Sequence, residues 1–329
     1  MAKRKPDKVE IWLRRLRDAA DGDCEQQLQE TVVAGLAEDS SIVVAQAATL
    51  VADREIEVSG DLLVEIYRRF EALGADGDKG CRAKLAIVEA LTQRGHEAAE
   101  FFIERMTYVQ MEFAYPDTVD TAAHLRGACA FGLVRCQLLP WTAVMSHLVD
   151  LLNDRDPVAR IHAASAIAHL GSPAATPVLR FKAGSGDSEP EVMGACLAGI
   201  LKNDGRDETS VEFVAGFLSV PRLAGEAAAA LCDSRNESAI ERVIDATIKA
   251  TTEQLDSFYL SLALCRQPSA LQFLCDQIDA DHSTAALAVK SLAPNRFYPD
   301  IASRVLEAVE GSGNPSLRAA YESEFANNS

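Results

Sequence analysis

One pattern recurs along this chain, and it constrains the fold more than any other feature of the sequence. Its clearest copy is DPVARIHAASAIAHLG, which runs from Asp156 to Gly171. The small and apolar residues of this copy recur at the spacing of one helix face: Ala159, Ala163, Ala166, Ile167 and Leu170. Asp156 suits the N-cap, Pro157 suits the first turn, and Gly171 suits the position after the last turn. The segment therefore predicts a helix with one apolar stripe.

Similar stripes occur before and after this copy, so the pattern is an internal repeat. Aligned on Arg160, the copies place these residues in equivalent positions: Val44, Lys84, Arg126, Arg160, Met193, Ala224, Ser257, His282 and Arg318. A second amphipathic segment precedes several copies, at 60–74, 96–114, 141–154 and 237–251. No run with convincing strand alternation is present. Because units of this kind bury their apolar faces only against neighbours, the sequence predicts an all-α stack of about nine helix pairs.

Composition agrees with a folded, helical chain. Hydrophobic residues make up 48% of the 329 residues, which excludes a disordered protein. The first 17 residues carry seven Lys or Arg and two Asp or Glu. We interpret residues 1–19 as a basic tail and first helix, and residues 20–329 as a single solenoid domain. No apolar run is long enough to predict a membrane-spanning helix, and the basic start lacks the apolar core of a secretory signal.

Charge and cysteine content narrow the function classes. The net charge of −17 argues against a nucleic-acid-binding protein, which needs a surplus of Lys and Arg. The eight cysteines contain no C-x-x-C pair, so neither zinc nor dithiol redox spacing is present. We interpret them as structural thiols of a reducing compartment and expect a cytoplasmic protein that contacts no membrane.

The repeat resembles a known family. The pattern D-P-x-x-R-x-x-A-A-x-A-I-x-x-L-G, read from Asp156 to Gly171, is similar to the second helix of a HEAT repeat, closest to the short bacterial-type units. The resemblance implies a right-handed α-α superhelix whose second helices line a concave, partner-binding side. It also implies repeat-structural roles for a set of matching residues: Asp156, Pro157, Arg160, Arg126 and Arg318. Met193 and Ala224 replace the arginine in later copies, so an unbroken Asp–Arg ladder is not expected.

Enzymes with HEAT-like units provide an alternative reading, but the sequence offers little chemistry for it. Deoxyhypusine hydroxylases of this type use repeated His-Glu dipeptides, whereas this chain has one, His96-Glu97. DNA glycosylases of this type need a cationic groove with aromatic residues, and Trp12 and Trp141 are the only tryptophans. Bilin lyases also carry such units, but no residue pattern here marks a bilin cavity. A calcium loop starting at Asp76 would need Glu where Ile87 stands. We therefore predict no catalytic residue, metal or cofactor.

The repeat alignment predicts a candidate binding surface. One row of equivalent positions on the second helices is basic: Arg135, His169, Lys202 and Arg266. Neighbouring rows add His162 and two apolar anchors, Phe131 and Tyr259. We expect a groove that binds an acidic or mixed-charge protein segment. The alternative is that the basic side chains only solvate a helix face and that Phe131 belongs to the core.

These observations favour a non-catalytic scaffold, adaptor or regulatory subunit. An inhibitor or immunity-type protein that covers a basic effector is an alternative within the binding class, and a HEAT-like lyase or glycosylase is the alternative among enzymes. The sequence does not indicate the oligomeric state.

Overall fold

The computed structural model describes residues 7–326, and the chain divides into two compact units, Met1–Leu170 and Gly171–Ser329. The helices of the first unit are α1 (Lys8–Asp21), α2 (Glu25–Leu36), α3 (Ser41–Asp53), α4 (Gly60–Gly77), α5 (Arg82–Gln93), α6 (Ala99–Arg105), α7 (Ala123–Arg135), α8 (Trp141–Leu152) and α9 (Pro157–His169). Two strands, β1 (Met111–Ala114) and β2 (Asp117–Asp120), lie between α6 and α7, and a short 3-10 helix, Lys79–Cys81, precedes α5.

The second unit is helical in all its described elements. Its helices are α10 (Ala175–Ser185), α11 (Pro190–Asp204), α12 (Glu208–Ala215), α13 (Ala224–Asp233), α14 (Glu237–Thr247), α15 (Thr252–Cys265), α16 (Pro268–Asp279), α17 (Ala285–Leu292), α18 (Pro299–Ser312) and α19 (Pro315–Tyr321). Shorter helical turns follow at Gly216–Ser219, Ala293–Asn295 and Glu322–Ala326. Among the described residues, no helix is long and apolar enough to cross a membrane.

The helices pack as consecutive pairs, from α2 with α3 to α18 with α19. The described part of the chain contains nine such pairs, with α1 packed on the first. Within each unit, the second helix of one pair packs on the second helix of the next: α3, α5, α7 and α9 in the first unit, and α11, α13, α15, α17 and α19 in the second. The predicted helical architecture with packing between consecutive helices is confirmed, with one two-stranded hairpin as the exception among the described elements.

Alanine-rich stripes allow this close stacking. In α9, the side chains of Ala159, Ala163 and Ala166 are completely buried, as the helical spacing predicted. Small side chains let neighbouring helix backbones approach closely, so the apolar core follows the second helices through each unit. The helix begins as expected, because Asp156 accepts a hydrogen bond from the Val158 amide at 2.9 Å and Pro157 stands in the first turn.

The N-terminal region is described only in part. Residues 1–6 of the predicted basic tail lie outside the described residues, and the remainder enters α1, which packs on α2 and α3. The interpretation of residues 20–329 as one solenoid domain stays a prediction.

The prediction of a helix over 96–114 is wrong. Only Ala99–Arg105 is helical, and the chain then forms an antiparallel hairpin in which Met111 pairs with Asp120 and Ala114 pairs with Asp117. A cis peptide bond, Tyr115–Pro116, lies in its turn. Local pattern could have indicated the hairpin, because Val109, Met111 and Phe113 alternate with Gln110 and Glu112 before a Tyr-Pro-Asp turn.

Candidate functional site

The first unit brings four predicted surface residues together on α7 and α9. The ring of Phe131 meets the ring of His162 edge to face at 6.1 Å between centroids, and the ring of His169 at 5.5 Å. Arg135 lies one turn after Phe131 on α7, is exposed, and donates through Nη1 to Oε1 of Gln93 at 3.3 Å. Phe131 itself is half-buried, so its ring contributes to both the helix packing and the surface.

A third histidine, His124, completes the ring cluster. Its Nδ1 lies 3.4 Å from Nε2 of His162, and the two ring centroids are 5.5 Å apart. Gly127 makes this arrangement possible, because a Cβ atom at that position would lie 2.4 Å from Cγ of His162. The close approach of α7 to α9 therefore depends on the absence of a side chain at residue 127.

The rings of His124, Phe131 and His162 border a cavity of about 240 Å³. Eight residues line it: Leu85, Glu89, Thr92, Gln93, His124, Ala128, Phe131 and His162. All belong to α5, α7 and α9, so we call this surface the open face of the three helices. The predicted surface included Phe131 and His162 but no residue of α5.

Electrostatics at the open face favour uncharged histidine. Burial lowers the pKa of His162, and the neighbouring His124 lowers it further. Partial burial raises the pKa of Glu89 at the rim; His124 opposes this rise, and the charge of Asp53 adds to it. A neutral imidazole, a half-buried aromatic ring and a carboxylate thus lie side by side, with the guanidinium of Arg135 beside them.

The remaining predicted surface residues belong to the second unit. Lys202 is exposed in the last turn of α11. Arg266 directly follows α15, stacks over the ring of Tyr298 at 4.2 Å, and donates to Oδ1 of Asn295 at 3.1 Å. Tyr259 corrects the prediction of a surface anchor, because its side chain is 2% exposed and it belongs to the core of the second unit.

The buried hydroxyl of Tyr259 explains its position. It donates to Oγ1 of Thr284 at 3.1 Å and lies 3.4 Å from Oε1 of Gln277. Its ring also meets Phe273 edge to face at 5.9 Å. A buried tyrosine needs such a partner, and helical spacing alone does not distinguish this position from an exposed one.

Two of the predicted repeat-structural residues, Arg160 and Arg318, have different surroundings. Arg160 donates through Nη1 to the backbone oxygens of Asp154 and Arg155, at 3.0 Å each. In the second unit, Arg318 is exposed and pairs with two carboxylates, Glu310 and Glu322.

Arg126 is the most buried of these cations. It forms a two-pronged ion pair with Asp154 at 2.8 and 2.9 Å and a second ion pair with Asp120 at 2.8 Å. Burial would raise the pKa of Asp120, but the Ala122 amide and the Arg126 guanidinium hold it below its ordinary value. This residue therefore connects α7 to the loop before α9 and to the hairpin.

A second buried ion pair lies at the equivalent position of α5. The ammonium of Lys84 is 3.1 Å from Oδ2 of Asp78, and both side chains are fully buried. Asp78 also accepts hydrogen bonds from the amides of Ala83 and Lys84, at 2.9 and 3.1 Å, and so begins α5. The repeat alignment had placed Lys84, Arg126 and Arg160 in one register, and all three are buried cations.

The hairpin has its polar side inward. Gln110 is 4% exposed, and its amide donates to the backbone oxygen of Asp78 at 2.9 Å. Glu112 accepts hydrogen bonds from the Gly80 amide and the Thr121 hydroxyl, each at 2.7 Å. Two apolar residues that alternate with them on β1 face outward: Met111 is 49% exposed and Phe113 is 74% exposed. On β2, Val119 pairs with Glu112 and is 45% exposed. Ion pairs and hydrogen bonds thus hold in place a hairpin that exposes large apolar side chains.

No family model and no curated protein matches this chain. Among residues 7–326, no group of three or more His, Cys, Asp or Glu is arranged to hold a metal ion.

Proposed function

We propose that this protein binds a protein partner through the open face of α5, α7 and α9, and that it acts as a non-catalytic scaffold, adaptor or regulatory subunit in the cytoplasm. The observation that carries the proposal is the cavity of about 240 Å³ bordered by Phe131 and two histidines. Pockets for whole drug-sized ligands measure about 300–1,000 Å³, so this volume suits one inserted side chain of a larger partner.

The chemistry of the open face suits a segment of mixed charge. Leu85, Ala128 and Phe131 provide apolar and aromatic contacts for an inserted side chain. Glu89, which lines the cavity, and Arg135, which donates to the lining residue Gln93, provide one carboxylate and one guanidinium for charges that flank it. We therefore propose an apolar or aromatic anchor residue with both basic and acidic neighbours as the binding motif of the partner.

The exposed apolar side of the hairpin supports a second contact surface for the same partner. Apolar side chains such as Phe113 and Met111 are costly to leave in water, and the buried polar network keeps them from turning inward. The rigid hairpin would bind with little loss of conformational entropy.

We further propose that the helix pairs form a right-handed superhelix of the HEAT type. The shared register of Lys84, Arg126 and Arg160 on successive second helices supports this assignment. An experimental structure that showed a left-handed stack would overturn it.

Site-specific photocrosslinking tests the binding proposal. A photoreactive phenylalanine analogue replaces Phe131, Phe113 or, as the control on α8, the exposed Ser146. We expect one partner to be crosslinked from residue 131 and not from residue 146. Crosslinking from residue 113 without any from residue 131 would overturn the assignment to the open face.

A matched pair of substitutions then tests whether the cavity itself is used. Ala128→Leu fills the cavity, while Ala143→Leu adds the same atoms at an equally half-buried position on α8. We expect the first variant to lose the crosslink from residue 131 and the second to keep it. Equal crosslinking by both variants would show that the cavity does not bind the partner.

Capture of a basic effector protein would favour an inhibitor over a scaffold. The net charge of −17 supports this second candidate. Its complex would dissociate steeply as the salt concentration rises, whereas an anchor in an apolar cavity resists salt.

A further inference from the structure

Two cysteines of the second unit occupy the same register on adjacent helices. Gly225 and Ser257, near the starts of α13 and α15, lie so close that a Cβ atom on Gly225 would be 3.2 Å from Cβ of Ser257. Cys232 follows Gly225 by seven residues and Cys265 follows Ser257 by eight, about two helical turns in each case. Because α13 and α15 pack along their lengths, this spacing brings the two cysteines side by side.

The two thiols differ in environment. Cys232 is 2% exposed inside α13, whereas Cys265 is half-buried at the last position of α15. The two side chains lie close enough to interact, and the Cys265 thiol donates a hydrogen bond to the backbone oxygen of Leu262 at 3.2 Å. The more exposed sulfur therefore neighbours a sheltered one.

The contact makes the two sulfur atoms chemically unequal. The interaction with Cys232 lowers the pKa of Cys265 to about 7 against the effect of burial, and the charge of Arg235 helps. The same interaction, with burial, raises the pKa of Cys232. Cys265 is therefore the more acidic of the two thiols.

Other buried cysteines lack this combination. Burial raises the pKa of Cys81 to about 11 and that of Cys196 to about 12, and it also raises the pKa of Cys129. Cys24 is exposed and lies in the first unit. It serves as a control for accessibility alone.

We propose that Cys265 and Cys232 form an oxidation-sensitive pair, in which a hydroperoxide oxidises Cys265 and Cys232 converts the product to a disulfide. The Cys265 thiolate attacks one peroxide oxygen, the O–O bond breaks, and hydroxide leaves, which produces a sulfenic acid. The Cys232 sulfur then attacks the Cys265 sulfur; the S–S bond forms and the S–O bond breaks. The released hydroxyl leaves as water with the Cys232 proton. Two thiols lose two electrons, and hydrogen peroxide becomes two molecules of water.

The disulfide links two adjacent helix pairs of the second unit. It joins the end of α13 to the end of α15 across the intervening α14. Their relative positions, which packing alone sets in the reduced protein, become covalently fixed. This modification site is independent of the proposed function of the open face, which belongs to the first unit.

Peroxide treatment of the full-length protein tests the proposal. After hydrogen peroxide, blocking with N-ethylmaleimide and non-reducing peptide mapping, we expect a linked peptide pair that contains Cys232 and Cys265, a mass loss of about 2 Da, and reversal by dithiothreitol. Cys196→Ser is the matched control and should leave the linked pair unchanged. Loss of the pair in this control, or a disulfide joining other cysteines while Cys232 and Cys265 stay reduced, would overturn the proposal.

Single variants separate the two steps. In Cys232→Ser, Cys265 cannot be resolved, so dimedone should label its sulfenic acid; in Cys265→Ser, peroxide should leave Cys232 unlabelled. Far-UV circular dichroism confirms that each variant is folded. Peroxide labelling confined to the exposed Cys24 would show that accessibility alone, and not the pair, determines oxidation.

Discussion

The clearest quantitative test of this structure is removal of the buried guanidinium of Arg126. Arg126→Met keeps most of the side-chain volume but leaves Asp154 without its cation and Asp120 with only the exposed Arg155, whose Nη2 is 3.4 Å away. The side chains of Asp120 and Asp154 are only 6% and 14% exposed. Breaking a buried ion pair by removing one partner costs about 3–5 kcal/mol. Asp120 keeps its hydrogen bonds from the amides of Gln110 and Ala122, so we expect the lower end, about 3 kcal/mol.

Urea unfolding at neutral pH measures this loss, and hydrogen exchange locates it. The amides of the hairpin should lose protection in the variant, because Arg126 also donates to the backbone oxygen of Tyr108 at 2.9 Å. Arg82→Met is the matched control, since Arg82 is exposed at the start of α5, and it should change the free energy of unfolding by less than about 0.5 kcal/mol.

The pH dependence of the variant provides the decisive check. The folded-state pKa of Asp120 is lowered, so its contribution to stability is present above its ordinary pKa and is lost as pH falls. The difference between Arg126→Met and the unmodified protein should therefore be largest near neutral pH and shrink toward acid pH. A variant as stable as the unmodified protein at pH 7, or a difference that does not change between neutral and acid pH, would refute the buried ion pair.

Three further results are expected. Gly127→Ala should displace the ring of His162, because the new Cβ would lie 2.4 Å from its Cγ, and NMR should then show loss of the His124–His162 ring contact. An NMR titration should place the pKa of His162 below its ordinary value of 6.5. The free energy of unfolding should therefore fall as pH drops from 6.5 toward that lower pKa. A His162→Gln variant that kept the same pH dependence would show that His162 does not cause it. Tyr259→Phe should cost about 1 kcal/mol in urea unfolding, because the hydroxyl of Thr284 loses its buried donor, and no loss would show that this hydrogen bond does not form.

Much of the fold follows from local sequence. The stripe of Ala159, Ala163 and Ile167, with Asp156 before it, predicted α9 to within a residue at its end. Such helices are predictable because their spacing, caps and small residues act within a few turns of one another. The same periodicity, repeated along the chain, also predicted that successive helices pack in pairs.

The hairpin shows where local reasoning fails. The segment 106–122 contains enough apolar residues for a helix, yet polar side chains of the hairpin face inward. Gln110 donates to the backbone oxygen of Asp78, and Asp120 accepts from the guanidinium of Arg126. Gln110 contacts a residue 32 positions earlier in the chain. The local alternation of Val109, Met111 and Phe113 could have indicated a strand, but no window of the sequence records that contact, so the side of the hairpin that is buried could not be predicted.

For the candidate site residues, too, local sequence predicted some properties and not others. The repeat alignment placed Phe131, His162 and His169 on one helical surface, since equivalent positions of a repeat share a face. The buried side chain of Tyr259, by contrast, contacts Phe273 and Thr284, which belong to the following helix pair and the loop within it. Position on a helix can be deduced from spacing, whereas exposure depends on what packs against it.

The sequence by itself determined that this chain forms paired helices with narrow alanine-rich stripes, because helical periodicity and capping are encoded within neighbouring residues. Only the tertiary structure decided that His124 meets His162, that Cys232 faces Cys265, and which side of the hairpin is buried. Those pairings join residues about thirty or more positions apart, and they arise from the close approach of separate helices rather than from local preference.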